Sequence, residues 1–320
     1  MRAVVVKSYG PPEDYVVADV PVPRPGPGQV QVRIAAASIN PADVVLPGGA
    51  YHDVTPLEFP HVPGNDFAGT VTETGPGVTA FRVGDEVFGQ AVPRVLRPLA
   101  GRTRPSLSTG SLAEYAVFEA DTPLLTHRPP GLSAEDAAAL ATTGLTARAL
   151  LVTARPEPGN TALVVGATGG VGTALVPLLA AAGVHVVATS TTADDSLLRA
   201  LGAAETIGYE DAYPRGVDKA FNLVLPGDRL DAVAGAVRPG GGLLTITYPP
   251  PGLDALRDDV DVRFVLDLDG ELGGMREVAE LAAGGALPAT IGRRYTLDEG
   301  PRACADFLRR HTTGKLVVMV

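Results

Sequence analysis

The stretch Thr161–Ser190, TALVVGATGGVGTALVPLLAAAGVHVVATS, contains the signals of one complete strand–helix–strand unit. Val164 and Val165 close an apolar run of strand type, and the glycine-rich run 166–172 interrupts it with residues that tolerate tight backbone geometry. Apolar residues then recur at helical spacing until Gly183, and a second apolar strand-like run follows. This order predicts a βαβ unit.

The same unit has the features of a dinucleotide-binding site. Its spacing is A-x-G-x-x-G, with Ala167, Gly169 and Gly172 at the three defined positions. Small residues there let the backbone approach a pyrophosphate, and the free N–H groups at the helix start hold its charge. The predicted phosphate-binding residues are Ala167, Thr168, Gly169, Gly170, Val171 and Gly172. A strand-to-helix turn without a ligand is the alternative.

Length, charge and cysteine content narrow the class of protein. With 320 residues the chain is long enough for two domains. A formal net charge of −10 argues against nucleic acid or an anionic membrane as the main partner. The start, MRAVVVKSYG, lacks the apolar core of a signal peptide, so a cytoplasmic location is expected. Cys304 is the only cysteine, which excludes an intrachain disulfide and a multi-cysteine zinc cluster.

The pattern of elements changes along the chain. Roughly the first 120 residues contain short β-type runs separated by Pro and Gly clusters, which is typical of an irregular β-domain. From Ser133, a good N-cap, the pattern becomes helical. After the βαβ unit, strands and helices alternate, and this predicts an α/β fold with a doubly wound parallel sheet. The C-terminal part is expected to return to the first domain and leave a cleft between the two lobes.

Several motifs together resemble those of the zinc-free quinone oxidoreductase (zeta-crystallin-like) branch of the medium-chain dehydrogenase/reductase superfamily. They include INPAD (39–43), PGNDFAG (63–69), VVGATGGVG (164–172) and HTTGKLVV (311–318), and the resemblance extends over nearly the whole chain. It implies a GroES-like catalytic domain, residues 1–141 and 267–320. It also implies a Rossmann NAD(P)-binding domain, residues 142–266.

The resemblance also bears on zinc. Where zinc-dependent members have a Cys ligand this chain has Asn40, and where they have a His-Glu pair after Gly it has Gly64-Asn65-Asp66. Asparagine is a poor replacement for thiolate or imidazole at a tetrahedral zinc site, and the structural four-cysteine lobe is missing. The spacing of His52 and His61 does not indicate a metal site either. No metal is therefore expected.

Without a metal, hydrogen bonds alone must polarise a carbonyl or enone oxygen while the nicotinamide delivers a hydride from C4. Tyr51 resembles a tyrosine that several zinc-free relatives place beside the substrate. Asn40 resembles an asparagine near the nicotinamide ribose. These are the predicted catalytic residues, and Asn40 is also assigned to the cofactor. The alternatives are a packed surface tyrosine and an asparagine that holds the turn before Pro41.

The resemblance implies further cofactor contacts. Thr143 matches a threonine that lies against the nicotinamide, and Val171 would lie behind the ring. The backbone at Ile246 and Thr247, and around Val265, resembles the edge that holds the carboxamide. As side chains, these apolar positions also suit an ordinary strand core.

The sequence favours NADPH over NADH as the cofactor. An NAD enzyme usually has an acidic residue at the end of the second strand, whereas Ser190 and Thr191 offer hydroxyls that suit a 2′-phosphate. However, Asp194 stands where many NADPH-using relatives have lysine, and it would repel a phosphate that it faced. Arg199 either compensates or is a solvated helix residue, so NADH stays possible. Tyr209 resembles the tyrosine beside the adenine, or is a surface residue at a strand end.

The leading functional hypothesis is a cytoplasmic, zinc-independent NADPH-dependent reductase of a small-molecule quinone or α,β-unsaturated carbonyl. A biosynthetic enoyl or keto reductase acting on a larger intermediate is the first alternative, and its hint is the basic loop 91–110, with Arg94, Arg97, Arg102 and Arg104. A non-catalytic NADPH-binding structural or regulatory protein is the second. A homodimer is expected from the family, with strand pairing through GGLLTITY (241–248) as a hypothesis.

Overall fold

The chain folds into two compact units. The computed structural model describes residues 1–98, 100, 103–250 and 257–320. Unit 1 comprises Met1–Thr142, Leu268–Ala283 and Ile291–Val320, and unit 2 comprises Thr143–Asp267 and Gly284–Thr290. Residues 284–290, which the sequence-based division places in the first domain, therefore group with unit 2.

Seventeen strands and seven α-helices are formed within the described residues. The strands are β1 (Arg2–Val5), β2 (Val16–Asp19), β3 (Gln29–Ser38), β4 (Asp66–Thr74), β5 (Glu86–Gln90), β6 (Val92–Pro93), β7 (Leu107–Ser108), β8 (Tyr115–Glu119), β9 (Leu125–His127), β10 (Thr161–Val165), β11 (His185–Ser190), β12 (Glu205–Gly208), β13 (Val217–Asn222), β14 (Val237–Thr245), β15 (Asp261–Phe264), β16 (Ile291–Thr296) and β17 (Lys315–Met319). The helices are α1 (Ala42–Val45), α2 (Ala134–Ala154), α3 (Gly170–Ala181), α4 (Asp195–Ala200), α5 (Asp231–Ala236), α6 (Met275–Ala283) and α7 (Gly300–Arg309).

Unit 1 is built around the long strand β3. The main sheet has the order β6-β7-β8-β3-β4-β5-β9, and β17 pairs antiparallel with the end of β3. Alternate β3 residues such as Val30 and Val32 are fully buried, as expected for a strand with a core face. The stacked rings of Phe67 and Phe118, with centroids 3.6 Å apart, lie in the same core. The β17–β3 pairing joins the C-terminal strand to the residues that precede the INPAD motif.

Unit 2 is a six-stranded parallel sheet. Its order is β12-β11-β10-β13-β14-β15, and every neighbouring pair is parallel. Counted from β10 this is the order 3-2-1-4-5-6 of a doubly wound dinucleotide-binding sheet, whose crevice lies at the carboxyl ends of β10 and β13, where the strand order reverses. The α/β fold class predicted from the sequence is confirmed, and so is the βαβ unit formed by β10, α3 and β11.

One hypothesis about assembly is wrong in its location. The stretch GGLLTITY lies mostly in β14, which pairs with β13 on one side and β15 on the other. Gly242, for example, is opposite both Lys219 and Asp261. A strand with two neighbours offers no free ladder to a second chain, so pairing through 241–248 is excluded. Homodimerisation itself stays a prediction.

Helix α2 combines a sequence-predicted start with a buried apolar body. Its N-terminus is capped as expected, because the Ser133 hydroxyl accepts the N–H of Asp136 at 3.0 Å. Among the described helices it is the one whose length and composition would suffice to cross a membrane. In this fold 67% of its most apolar window is buried inside the protein, as it is in core helices.

Candidate active site and cofactor site

The glycine turn, residues 166–172, connects β10 to α3. Gly166 has φ of +87°, a left-handed conformation that favours glycine, and its N–H donates to Oγ1 of Thr189 on β11 at 2.9 Å. Gly169 is the N-cap of α3 and provides no side-chain cap. The first N–H groups of α3 therefore have no capping side chain at the place where a dinucleotide-binding fold holds phosphate.

Two glycines of this turn differ in what the protein itself requires. A Cβ on Gly172 would lie 2.4 Å from the carbonyl oxygen of Ala167, so close packing of the helix against the turn demands glycine there. A Cβ on Gly169 would approach nothing closer than the oxygen of Gly166 at 3.5 Å, which is ordinary contact. Packing within the protein therefore does not require glycine at position 169, whereas a phosphate that approaches the backbone would.

The ends of β10, β11 and β12 bring several predicted cofactor residues together. The Thr168 hydroxyl is 2.7 Å from the Tyr209 hydroxyl, which links the glycine turn to the loop after β12. Burial raises the pKa of Tyr209, the hydrogen bond with Thr168 lowers it, and the nearby Asp194 carboxylate raises it. This edge is where a dinucleotide-binding sheet holds the adenosine.

Local hydrogen bonds link the last residue of β11 to the residues that follow it. The Thr191 hydroxyl donates to the buried carboxylate of Asp194 at 2.6 Å, and the Ser190 hydroxyl donates to the Thr191 carbonyl at 2.8 Å. Arg199 donates to the Ala204 carbonyl and to Oγ1 of Thr206, at 3.2 and 3.1 Å. Arg199 thus fastens the end of α4 to the start of β12.

Sequence reasoning missed a second network, at the carboxyl ends of β13 and β14. The fully buried Asn222 donates to the Leu225 carbonyl at 2.8 Å and to the hydroxyls of Thr245 and Thr247, at 2.9 and 3.2 Å. The N–H of the predicted cofactor residue Ile246 donates to the Asn222 carbonyl at 3.3 Å. An asparagine directly after the buried apolar pair Ala220-Phe221, at the end of β13, was the available signal.

Val265, the remaining residue predicted to lie near the nicotinamide carboxamide, continues the hydrogen bonding of the same sheet. The N–H of Val265, just after β15, donates to the carbonyl of Thr245 at 2.9 Å. Val265 is buried, so its side chain belongs to the core while its backbone extends the β14–β15 ladder. The structure thus places Ile246, Thr247 and Val265 just beyond the carboxyl ends of β14 and β15.

In unit 1, four buried residues that are far apart in sequence form what we call the polar cluster: Asn40, Asp43, Asp66 and Lys315. The Lys315 ammonium donates to Oδ1 of Asn40 and to the carbonyl of Ile39, each at 2.7 Å, and lies 3.3 Å from Oδ2 of Asp66. Because β17 is antiparallel to β3, with Val317 opposite Ser38, Lys315 is brought beside Asn40. Lys315 was not among the predicted site residues.

The two carboxylates of the polar cluster have different partners. Asp66 accepts the Ser38 hydroxyl at 2.7 Å and both the N–H and the hydroxyl of Thr142, at 3.1 and 2.5 Å. Asp43 accepts the backbone N–H groups of Asn40 and Gly64, at 2.8 and 2.9 Å. Burial raises the pKa of Asp43 to about 7, although these two backbone hydrogen bonds oppose the shift.

The residues at the positions of the superfamily's zinc ligands do not fit zinc. Asn40, Asn65 and Asp66 supply two amides and one carboxylate, where a catalytic zinc site uses thiolate or imidazole. A lysine ammonium already contacts the oxygens of Asn40 and Asp66, and a second cation there would be repelled. Within residues 1–98, 100, 103–250 and 257–320, no three His, Cys, Asp or Glu residues are grouped as a metal site.

Two predicted site residues remain, Tyr51 and Thr143. Tyr51 is half-buried in the turn that follows α1, and its carbonyl accepts the N–H groups of Val54 and Thr55, at 3.0 and 2.8 Å. Thr143 is buried in α2 and directly follows Thr142, which bonds to Asp66. Their contacts with a substrate or cofactor stay predictions.

The basic loop lies partly against a different part of unit 1. Arg104 is 3.3 Å from Asp121, and both line a cavity of about 860 Å³ together with Arg276 and Glu277. None of the predicted site residues lines that cavity. Arg94 and Arg97 are exposed, and Arg102 lies outside the described residues.

The contrast within the glycine turn gives a paired prediction. Gly169→Ala should leave the melting temperature unchanged, since the new Cβ meets only ordinary contact, and should weaken NADPH binding by about tenfold or more because it obstructs the phosphate. Gly172→Ala, the packing control, should lower the melting temperature because its Cβ would overlap Ala167. Fluorescence titration and thermal unfolding measure both effects. Unchanged NADPH affinity in Gly169→Ala would contradict the assignment.

The raised pKa of Asp43 predicts a pH dependence of stability. The folded chain holds this proton more tightly than the unfolded chain, whose carboxyl has the ordinary pKa of 3.8. The free energy of unfolding should therefore fall as the pH rises from about 4 to about 7, with a slope of at most about 1.4 kcal/mol per pH unit from this group.

Asp43→Asn should remove that component of the slope, and the substitution of the exposed Asp228→Asn should leave it in place. Urea unfolding at a series of pH values provides the free energies. The difference between wild type and Asp43→Asn is the quantity of interest, because other carboxylates titrate over the same range. Parallel curves for the two proteins would contradict the prediction.

Comparison with known proteins agrees with this architecture. Residues 26–129 match the alcohol dehydrogenase GroES-like domain, and residues 183–318 match the zinc-binding dehydrogenase family. Quinone-oxidoreductase QR1 of Triphysaria versicolor, a chloroplastic protein, is 30% identical over 346 aligned positions that cover 99% of this chain and 98% of the relative.

Solved structures give the same result. The quinone oxidoreductase of Coxiella burnetii superposes with a TM-score of 0.86 at 27% identity, over 100% of this chain and 99% of the other. A mycobacterial protein complexed with NADPH superposes with a TM-score of 0.83 at 27% identity, over 100% of both chains. The motifs, the fold and these relatives agree, and the chain is an oxidoreductase that belongs to the quinone oxidoreductase branch of the medium-chain dehydrogenase/reductase superfamily.

Proposed function

We propose that this chain is a zinc-independent, NADPH-dependent reductase of quinones or α,β-unsaturated carbonyl compounds. One observation carries the proposal: the positions that hold zinc ligands elsewhere in the superfamily are occupied by a polar cluster of hydrogen-bonding groups around a lysine ammonium. Such a cluster supports reduction of an acceptor that needs only hydrogen bonds at its oxygen.

The chemistry assigns distinct tasks to the two sets of residues. When bound, the reduced nicotinamide supplies a hydride from C4 to an electrophilic carbon of the acceptor. Negative charge then develops on the acceptor oxygen, and the Tyr51 hydroxyl and the Asn40 amide are the proposed donors that stabilise it. A single donor of this kind typically contributes about 10²–10³ in rate. The glycine turn and the residues at the strand ends of unit 2 hold and orient the dinucleotide.

NADPH is proposed as the preferred hydride donor. Ser190, the last residue of β11, and Thr191 after it stand where NAD enzymes typically have an acidic residue, so neither position places a carboxylate against a 2′-phosphate. The NADPH complex of the mycobacterial relative supports a nicotinamide cofactor in this fold. Asp194 opposes the preference through its charge, and its carboxylate is engaged by Thr191.

A second candidate is an enoyl or keto reductase that acts on a larger biosynthetic intermediate. The exposed Arg94 and Arg97 of the basic loop support it, because arginine binds anionic groups through paired hydrogen bonds. Arg104 gives less support, since it is paired with Asp121. A quinone or enone with an anionic side chain would be the better substrate under this alternative.

Turnover of simple acceptors tests the proposed reaction. NADPH oxidation, followed by absorbance, should be accelerated by the enzyme with a simple quinone, with a simple enone, or with both. Tyr51→Phe should lower kcat by roughly tenfold to a thousandfold, because it removes a donor at the acceptor oxygen, while the Kd for NADPH should stay unchanged. Gly169→Ala provides the control in which binding fails instead.

Two outcomes would redirect or overturn the proposal. NADPH binding without turnover of either simple acceptor would favour the biosynthetic alternative or a non-catalytic binding role. Turnover of an enone with an anionic side chain would then indicate the biosynthetic alternative, and no turnover would indicate the non-catalytic role. If neither NADPH nor NADH binds, the proposed reductase function is wrong.

A substitution at Asp194 tests the proposed preference for NADPH. Asp194→Asn keeps an oxygen that accepts the Thr191 hydroxyl and removes a negative charge from the segment after β11. It should tighten NADPH binding severalfold and leave NADH binding nearly unchanged. Fluorescence titration of both nucleotides against both proteins tests this. Tighter binding of NADH than of NADPH by the wild type would contradict the preference proposed here.

A further inference from the structure

We propose that Lys315 is a positioning residue: its buried ammonium fixes the side-chain amide of Asn40 so that an N–H, and never the oxygen, is presented to the ligand. The inference rests on the proposed function in one respect, namely that Asn40 contacts the nicotinamide ribose or the acceptor oxygen. The geometry of the pair itself lies entirely within unit 1.

The chemistry of lysine determines the orientation of the amide. An ammonium group has three donors and no acceptor, so the Asn40 atom 2.7 Å from the Lys315 nitrogen must be the oxygen Oδ1. The amide nitrogen Nδ2 then faces the other way, and it donates to the Ser38 carbonyl at 3.3 Å. An NH₂ group carries two hydrogens, and within the described part of the chain only one of them has an acceptor.

The ammonium is itself held in place. It donates to the Ile39 carbonyl at 2.7 Å and lies 3.3 Å from Asp66, and both Lys315 and Asp66 are buried. Asp66 is fixed in turn by Ser38 and Thr142. A buried charge pair with its hydrogen bonds satisfied is rigid, since moving either partner would leave the other unpaired.

Asn40 is also held through its backbone. Its N–H donates to Asp43, and the β17–β3 register sets the distance to Lys315 from the opposite direction. Asparagine at this position would otherwise be free to present either edge of its amide. The lysine thus converts an ambiguous group into a dedicated donor, which is what a developing negative charge or a ribose hydroxyl oxygen requires.

A mutational cycle tests the proposal. Lys315→Met alone would leave the Asp66 carboxylate buried without its counter-charge, so the test uses Lys315→Met together with Asp66→Asn, which removes both charges and keeps an oxygen that accepts the Thr142 N–H. In the Asn40 protein this pair of changes should lower kcat/KM by roughly tenfold to a hundredfold. In an Asn40→Ala protein the same changes should have almost no further effect. Equal losses in both backgrounds would overturn the proposal, because they would reveal a structural role.

Matched controls separate positioning from stability. Lys219→Met, which replaces a half-buried lysine of β13 in unit 2, should leave kcat/KM unchanged. Thermal unfolding of each variant checks that the measured protein is folded. Asn40→Asp is the second diagnostic: with an acceptor-only group next to the ammonium it should lose activity like Asn40→Ala, and activity near the wild-type level would overturn the requirement for a donor.

A spectroscopic measurement on the wild type does not depend on turnover. The chain has only three lysines, Lys7, Lys219 and Lys315, so lysine-selective ¹⁵N labelling gives a simple spectrum. Lys315 should show an ammonium signal protected from exchange with water, assigned by its loss in the double variant, whereas exposed Lys7 should not. Without that signal the hydrogen-bonded geometry is wrong, whatever the enzyme turns over. With it, and with no NADPH binding, only the proposed function fails.

Discussion

The interaction on which the candidate site in unit 1 depends is the buried contact of Lys315 with Asn40 and Asp66. A buried ammonium is tolerated only where several oxygens satisfy it, and here those oxygens come from Ile39 and Asn40, just after β3, and from Asp66 at the start of β4. The pairing of β17 with β3 supplies the lysine from the far end of the chain. The same cluster orders the INPAD motif and places a lysine ammonium beside the position of a zinc ligand in zinc-dependent members of the superfamily.

The candidate dinucleotide site in unit 2 is built mainly from backbone groups and not from charged side chains. Its glycine turn uses backbone groups and empty space, and the contrast between Gly172 and Gly169 separates what packing requires from what a phosphate requires. Side-chain hydrogen bonds then fix the strand ends: Thr168 bonds to the exposed Tyr209, and the buried Asn222 bonds to the buried Thr245. In the proposed function, backbone geometry in unit 2 binds the dinucleotide, and side-chain donors in unit 1 polarise the acceptor.

Local patterns predicted most of the fold, and distant pairings limited the rest. The βαβ unit, the parallel sheet and the Ser133 cap were readable because their signals lie within a few residues of each other. Lys315 was missed because its partner Asn40 is 275 residues away in sequence, so no spacing rule connects them. The residue pattern did not predict which strands lie at the edges of the sheet, and the hypothesis of pairing between chains through 241–248 therefore used a strand that has two neighbours. The raised pKa of Asp43 depends on burial, which only the packed structure defines.

Metal dependence of turnover tests most directly whether hydrogen bonds around the Lys315 ammonium replace a metal. Purified enzyme would be dialysed against a strong zinc chelator, its zinc content measured by elemental analysis, and its rate of NADPH oxidation compared before and after. We expect an undiminished rate with zinc far below one atom per chain. A rate that is lost with the chelator and restored by added zinc would contradict this mechanism.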